Sequence, residues 1–119
     1  MDSNKIVHIP FSEVEWFYGE GNWQEKIVVP NQLGAGKFSV SYVIFNAGGS
    51  THDYHSHEDI DEALVIVDGV LDAFRQTSSG PERVQLQKGD AFFAPRGAPH
   101  RFSNEYATPV TAIVVKCAI

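Results

Sequence analysis

The sequence carries a single cysteine, Cys117, so no disulfide can close within the chain and nothing points to an oxidising compartment. A lone thiol can act as a nucleophile. This one ends a late apolar run, residues 112–117, and is expected as a packed strand thiol instead. Basic residues are also few, with nine Lys and Arg against 15 Asp and Glu and a net charge of −6. Lys5, Lys26, Lys37, Lys88 and Lys116 are scattered, which leaves neither the basic stripe of a nucleic-acid binder nor a polybasic membrane patch. No apolar run approaches the roughly 20 residues of a membrane-spanning helix. The N-terminus lacks the apolar stretch of a signal peptide. The expectation is a soluble, cytoplasmic protein with no nucleic-acid or membrane partner. Internal repeats, low-complexity segments and linkers are missing too, so residues 1–119 read as one domain.

Helix signals are nearly absent. The one candidate is a short turn after Ser12, where Glu15 three residues on resembles a capping box. What the chain has instead is strand signal. Segments rich in Val, Ile, Phe and Tyr at residues 5–9, 24–29, 37–46, 62–67, 70–76, 83–87, 91–94, 99–103 and 110–117 predict strands. Gly- and Pro-containing turns at 34–36, 47–49, 79–81, 88–90 and 95–97 punctuate them. Many short strands with hardly a helix between them predict an all-β sandwich or barrel. Hydrophobic content of 43% over 119 residues is enough for one core.

The run at residues 63–67 is apolar at every position, whereas a strand with one wet face would alternate. Its second face must therefore be covered, by another sheet or by a partner subunit. Residues 112–119 and the aromatic group from Trp16 to Trp23 add to the apolar surface that one small barrel has to hide. These features predict a homodimer, formed through an outer sheet face or an exchanged N-terminal strand.

Chemistry concentrates in two short blocks. His55 and His57 are one residue apart, and on a strand residues i and i+2 face the same way, so both imidazoles can converge on one point. Glu62 follows after a turn, and His100 comes from a distant segment beyond a Pro/Gly turn. Three imidazoles and a carboxylate suit one divalent transition metal ion such as Fe, Mn, Ni, Zn or Cu. The acidic residues Glu58, Asp59 and Asp61 beside them read as a solvated turn, whose repulsion a dication would partly offset. His52, three residues before His55, would face the opposite side of an extended segment, and His8 has no spacing partner.

The first block runs Gly49-x5-His55-x-His57-x4-Glu62-x6-Gly69, and the second Gly89-x5-Pro95-x-Gly97-x2-His100-x3-Asn104. Together they resemble the two motifs of the cupin superfamily (49–69 and 89–104), with every fixed position filled. At roughly 5% usage per residue type, ten such positions coincide about 10^-13 times per placement. The 19 residues between Gly69 and Gly89 suit a small single-domain cupin. The resemblance implies a jelly-roll β-barrel, or double-stranded β-helix, with a metal in its mouth held by His55, His57, Glu62 and His100. It also implies that Gly49, Gly69, Gly89 and Gly97 are turn residues, that Pro95 is a rigid corner, and that Asn104 is a turn or backbone-bonding residue rather than a ligand.

Four protein ligands on a six-coordinate metal leave two positions for water, a bidentate substrate, or substrate with dioxygen. The expected function is therefore a metal-dependent enzyme acting on a small polar molecule bearing a carboxylate, enol or hydroxy-keto group. Dioxygenation and isomerisation or lyase chemistry are both compatible. Glu62 departs from the three-histidine pattern of the thiol-dioxygenase branch, which argues against thiol substrates. Candidate acid/base residues are Tyr42, Tyr54, His52 and Glu62 itself. The alternative is a non-catalytic module that binds or senses a small ligand in the same pocket, because fold alone fixes no function.

Overall fold

Ten strands form among the described residues, and they pair antiparallel throughout two sheets. The computed structural model describes residues 6–33, 36–51 and 53–118. Its strands are β1 (Phe17–Tyr18), β2 (Trp23–Val29), β3 (Phe38–Phe45), β4 (Ser50–Thr51) and β5 (Ile60–Asp68). They continue as β6 (Leu71–Thr77), β7 (Gly80–Leu86), β8 (Ala91–Ala94), β9 (His100–Asn104) and β10 (Val110–Ala118). One sheet has the order β1-β2-β3-β10-β5-β8 and the other β4-β9-β6-β7. Strands next to each other in sequence lie on different sheets at several points, which is the jelly roll expected from the motifs.

The two inner faces meet in one core. Val43 and Phe45 of β3, Leu64 and Ile66 of β5, Phe92 of β8, Phe102 of β9 and Val110, Ala112 and Val114 of β10 are all buried there. Every one of them alternates with an outward neighbour, as a strand with one buried face requires. The β5–β6 turn shows how tight the packing is. Gly69 takes φ +93°, and a Cβ there would also meet the Pro109 carbonyl oxygen at 2.8 Å. Both backbone conformation and space demand glycine.

The outer face of the larger sheet divides into two halves. Over β2 and β3, the segment before β1 lies as a strap. Lys26, paired with Tyr42 across the strands, is buried under it and donates from Nζ to the Phe11 carbonyl at 2.7 Å. The same ammonium sits 3.9 Å from the Phe11 ring centroid and 5.0 Å from that of Trp16, where the ring faces attract a cation. Phe11 and Trp16 also pack edge-on against Tyr42. Over β10, β5 and β8 the outer face is more open, with Ile113 and Val115 of β10 half-buried. Val65 and Val67 are 41% and 43% exposed, and Phe93 is 62% exposed.

Three expectations need correction. Residues 6–9 form no strand: they pair with none among the described residues, and Ile6 is 96% exposed. The turn near Ser12 is a 3-10 helix, Phe11–Glu13, with Pro10 at its N-cap and no side-chain cap hydrogen bond. Pro10 at φ −65° already directs the chain into that turn, and Ser12 falls inside it. Cys117 lies in β10 as expected, but its side is open and the thiol is exposed. The two shortest strands, β1 and β4, carry too few residues to show a period. The turn at 34–36 falls partly outside the described residues.

Candidate metal centre

The two sequence blocks run antiparallel beside each other, and their spacing follows from that pairing. Gly49 donates its N–H to the Asn104 carbonyl at 2.6 Å. His55 and His100 exchange both backbone hydrogen bonds at 3.0 Å, forming an isolated bridge outside the longer strands. Residues directly opposite in such a pair project to the same face, so the bridge sets the two imidazoles together, with ring centroids 4.5 Å apart. Gly97, at φ +78°, donates to the His57 carbonyl at 2.7 Å and ties the second block's turn to the first block. His57 lies two residues beyond His55, and its ring centroid is 4.9 Å from that of His55 and 5.9 Å from that of His100.

Ligand atoms of His55, His57 and His100 all lie within 4.8 Å of one another, a group that can hold a metal ion. Glu62, at the inner position of β5, completes the arrangement. Its Oε2 is 3.2 Å from His100 Nε2 and its Oε1 is 3.6 Å from His57 Nε2. Both Glu62 and His100 are buried.

The donor set fits a cation. His100 Nδ1 lies 3.0 Å from the Ala98 carbonyl, which can only accept, so the ring proton sits on Nδ1. Nε2 then presents a lone pair to the Glu62 carboxylate, which is also only an acceptor. Something positive has to stand between them, either a second ring proton or a metal. Metal-bound histidines commonly donate their other ring N–H to a backbone carbonyl in this way. His57 Nε2 supplies the second sign, being buried with no hydrogen-bond partner among the described residues. Such a group costs free energy unless something binds it.

Electrostatics tell the same story for the metal-free chain. Burial pushes the Glu62 carboxyl up, but the His100 hydrogen bond and the charges of Lys116, His100 and His57 outweigh it and hold the pKa below 4.5. Burial likewise pushes His100 down, and the bonds to Glu62 and to the Ala98 carbonyl outweigh that and raise it above 6.5. A depressed carboxyl stabilises the fold above its ordinary pKa, and that stabilisation is lost as pH falls through the folded value. A raised imidazole stabilises below its ordinary pKa, and that is lost as pH rises through the folded value. The pair therefore stabilises the metal-free fold most between pH 4.5 and 6.5. In urea titrations of metal-free protein, Glu62→Gln is expected to lower the midpoint most within that window. The gap to the wild type should narrow toward about pH 8. A gap of constant size across the range would contradict the pairing.

A cavity of about 320 Å³ opens beside this cluster. His55, Glu62, Trp23, Glu25 and Lys116 border it, and core residues such as Phe45 and Phe102 form its apolar walls. Lys116 Nζ lies 3.8 Å from Glu62 Oε1. Trp23, Glu25 and Lys116 were not singled out from sequence as site residues. The signal was there: Lys116 continues the inward series Val110, Ala112, Val114 of β10, and Glu25 shares a side of β2 with Trp23. Charged side chains at inward positions are rarely idle.

The remaining candidates go elsewhere. Tyr42 alternates with the buried Ser41 and Val43 and faces outward under the strap, against Phe11 and Trp16. The structure therefore does not bring it to the histidines. The Tyr54 hydroxyl is buried without a hydrogen-bond partner among the described residues, its ring near the Arg101 guanidinium, and it does not border the cavity. His52 lies outside the described residues. His8 is exposed on the N-terminal segment. Asn104 bonds backbone only: its Nδ2 faces the carbonyls of Phe45, Asn46 and Thr108, and its Oδ1 accepts from the Tyr106 N–H.

No curated protein matches the sequence significantly. Solved structures do match by fold. KdgF from Halomonas sp. superposes with a TM-score of 0.75 at 22% identity, covering 97% of this chain and 96% of that one. The polyketide cyclase RemF from Streptomyces resistomycificus gives 0.76 at 20% identity, with 95% and 80% covered. A predicted oxalate decarboxylase from Thermotoga maritima gives 0.80 at 17% identity, with 95% and 100% covered. At these identities the likeness speaks for the fold alone. Residues 41–116, which contain the bridge, the histidine cluster and both blocks, match the family described as Cupin domain. The chain belongs to the cupin family.

Proposed function

We propose that the protein is a metal-dependent enzyme. It holds one divalent transition metal ion, drawn from Fe, Mn, Ni or Zn, through His55, His57, Glu62 and His100. Its substrate is a small organic molecule bearing a carboxylate, enol or hydroxy-keto group. The observation that carries this reading is the facing pair of acceptors, His100 Nε2 and Glu62 Oε2 at 3.2 Å, with His57 Nε2 buried and unsatisfied beside them. A divalent ion bound there supplies Lewis-acid polarisation of a substrate oxygen. The chain's own part is to orient the substrate in the cavity and to exclude water from it.

Isomerase or lyase chemistry is favoured over dioxygenation because Glu25 borders the same cavity. Its carboxyl can take or return a proton without leaving the ligand set, a role that Glu62 could fill only by giving up its own place. Proteins with this fold include ones named as a polyketide cyclase and a predicted oxalate decarboxylase, so the fold is compatible with catalysis. The test starts from protein purified without added metal, with metal analysis followed by turnover and oxygen-uptake screens over small hydroxy and keto acids. One equivalent of metal and turnover without oxygen uptake are expected. Substrate-dependent oxygen uptake would move the reading to a dioxygenase, and tight binding without turnover would leave a sensing module.

The reading includes a homodimer. Val65, Val67 and Phe93 are exposed on the more open half of the larger sheet, and the half-buried Ile113 and Val115 lie beside them across the strands. That face carries apolar side chains on three adjacent strands, and a second copy of the same face is its self-complementary cover. Light scattering at micromolar concentration is expected to give about twice the 13.2 kDa chain mass. Phe93→Asp should halve it. A wild-type monomer that persists on concentration would refute the dimer.

A further inference from the structure

The cavity beside the histidines is charged at one end and apolar along the rest. Lys116 Nζ stands at the charged end, 3.8 Å from Glu62 Oε1, with its side chain still reached by solvent. Val43, Phe45, Phe102 and Val114 make the apolar stretch, and Trp23 adds an aromatic surface. We infer that this pocket selects a small monoanion with an apolar body, its acidic group held at Lys116 and its hydrocarbon part laid along Phe45, Phe102 and Trp23. The inference rests on the metal-centre reading above, and it narrows the substrate from a polar molecule to an amphipathic one.

Charge balance is the first argument. Glu62, Glu25 and Lys116 face one cavity, two carboxylates against one ammonium, so the protein alone places one negative charge there. A dication at the histidines turns that into one positive charge. A neutral ligand would leave the excess to water and counterions, and a cation would add to it beside the apolar walls. A monoanion closes the balance. Lys116 is the positive group that the chain itself offers in this cavity, and charge-assisted contacts to an ammonium are among the stronger hydrogen bonds.

The walls supply the second argument. A ligand that was polar throughout would have to give up water against Val43, Phe45 and Val114, which offer no hydrogen bonds in return. An apolar body gains from the same burial, about a fourfold change in affinity for each methylene. The volume, about 320 Å³, lies near the lower end of small-molecule sites, which run from about 300 to 1,000 Å³. The ligand is therefore small.

The test uses the full chain loaded with Zn²⁺ and titrated with acetate, hexanoate and 1-hexanol. Calorimetry and tryptophan fluorescence report binding, and metal content is measured on the same samples. Hexanoate is expected to bind at least about tenfold more tightly than acetate, from its added methylenes. It should also bind at least about tenfold more tightly than 1-hexanol, from its charge. Lys116→Met keeps much of the stem and removes the ammonium. It should erase the preference for hexanoate over 1-hexanol while metal content stays at the wild-type level. Equal affinity for acetate and hexanoate, or a Met variant that keeps the preference, would overturn the inference while the metal centre stood. Wild-type protein that takes up no metal would instead sink the reading beneath it.

Discussion

His100→Ala is expected to strip the protein of its metal. The imidazole is buried, its Nδ1 proton is committed to the Ala98 carbonyl, and its Nε2 lies 3.2 Å from Glu62. Removing it deletes one ligand atom and leaves the Glu62 carboxylate facing an apolar gap beside Phe92 and Phe102. Changes to groups that only support a ligand cost about 10–100-fold in metal affinity, and loss of the ligand itself should exceed that. His55→Ala and His57→Ala are expected to behave alike. The His57 ring is only half-buried, so that variant separates loss of metal from loss of fold. His8→Ala, on the exposed N-terminal segment, should keep its metal and serves as the control. Metal content by mass spectrometry after dialysis, with the urea midpoint recorded for each variant, reads the result. Full occupancy in any two of the three histidine variants would remove the assignment.

The histidine cluster was legible because its spacing is a consequence of backbone pairing. His55 opposite His100, Gly49 against Asn104 and Gly97 against His57 are three contacts of one antiparallel ribbon. A ribbon admits few insertions without breaking the pairing, so the intervals survive as a readable pattern. Strands were legible for a related reason. In β10 the inward Val110, Ala112 and Val114 alternate with residues of the open face, and that period is visible without coordinates.

What stayed hidden depends on which face a residue takes, or on a partner too far along the chain. Tyr42 looked like a candidate proton carrier beside a metal site. A single step in strand parity puts it under the strap instead, with Lys26 and Trp16. Lys26 and Lys116 look alike in sequence, two isolated lysines in apolar strands. One is buried beneath aromatic rings on the outer face, and the other reaches into the cavity. Residues 6–9 have the composition of a strand, but composition does not decide whether a segment pairs, and this one pairs with no strand among the described residues. Apolar residues on both sides of β5 were read as needing cover. The inner side has it in the core, and on the outer side Val65 and Val67 are exposed.

Asn104→Ala is expected to destabilise the fold by about 3 kcal/mol, although none of the hydrogen bonds of its side chain goes to the three histidines or Glu62. The side chain is completely buried at the end of β9. Its Nδ2 lies 3.0 Å from the Phe45 carbonyl, 3.2 Å from that of Asn46 and 2.9 Å from that of Thr108. Its Oδ1 accepts from the Tyr106 N–H at 3.0 Å. One amide therefore ties backbone groups at the end of β3 to those of the β9–β10 turn. Alanine leaves these groups without partners in a closed space, and each buried orphan costs about 1–3 kcal/mol. Size alone does not account for this, and Asn104→Asp separates the two explanations. Aspartate has nearly the same shape but turns an oxygen toward three carbonyls, replacing two donated protons by repulsion. It should therefore lower the urea midpoint at neutral pH at least as much as alanine does. An aspartate variant close to wild type would show that the site tolerates a carboxylate, and the hydrogen-bond account of this corner would fail.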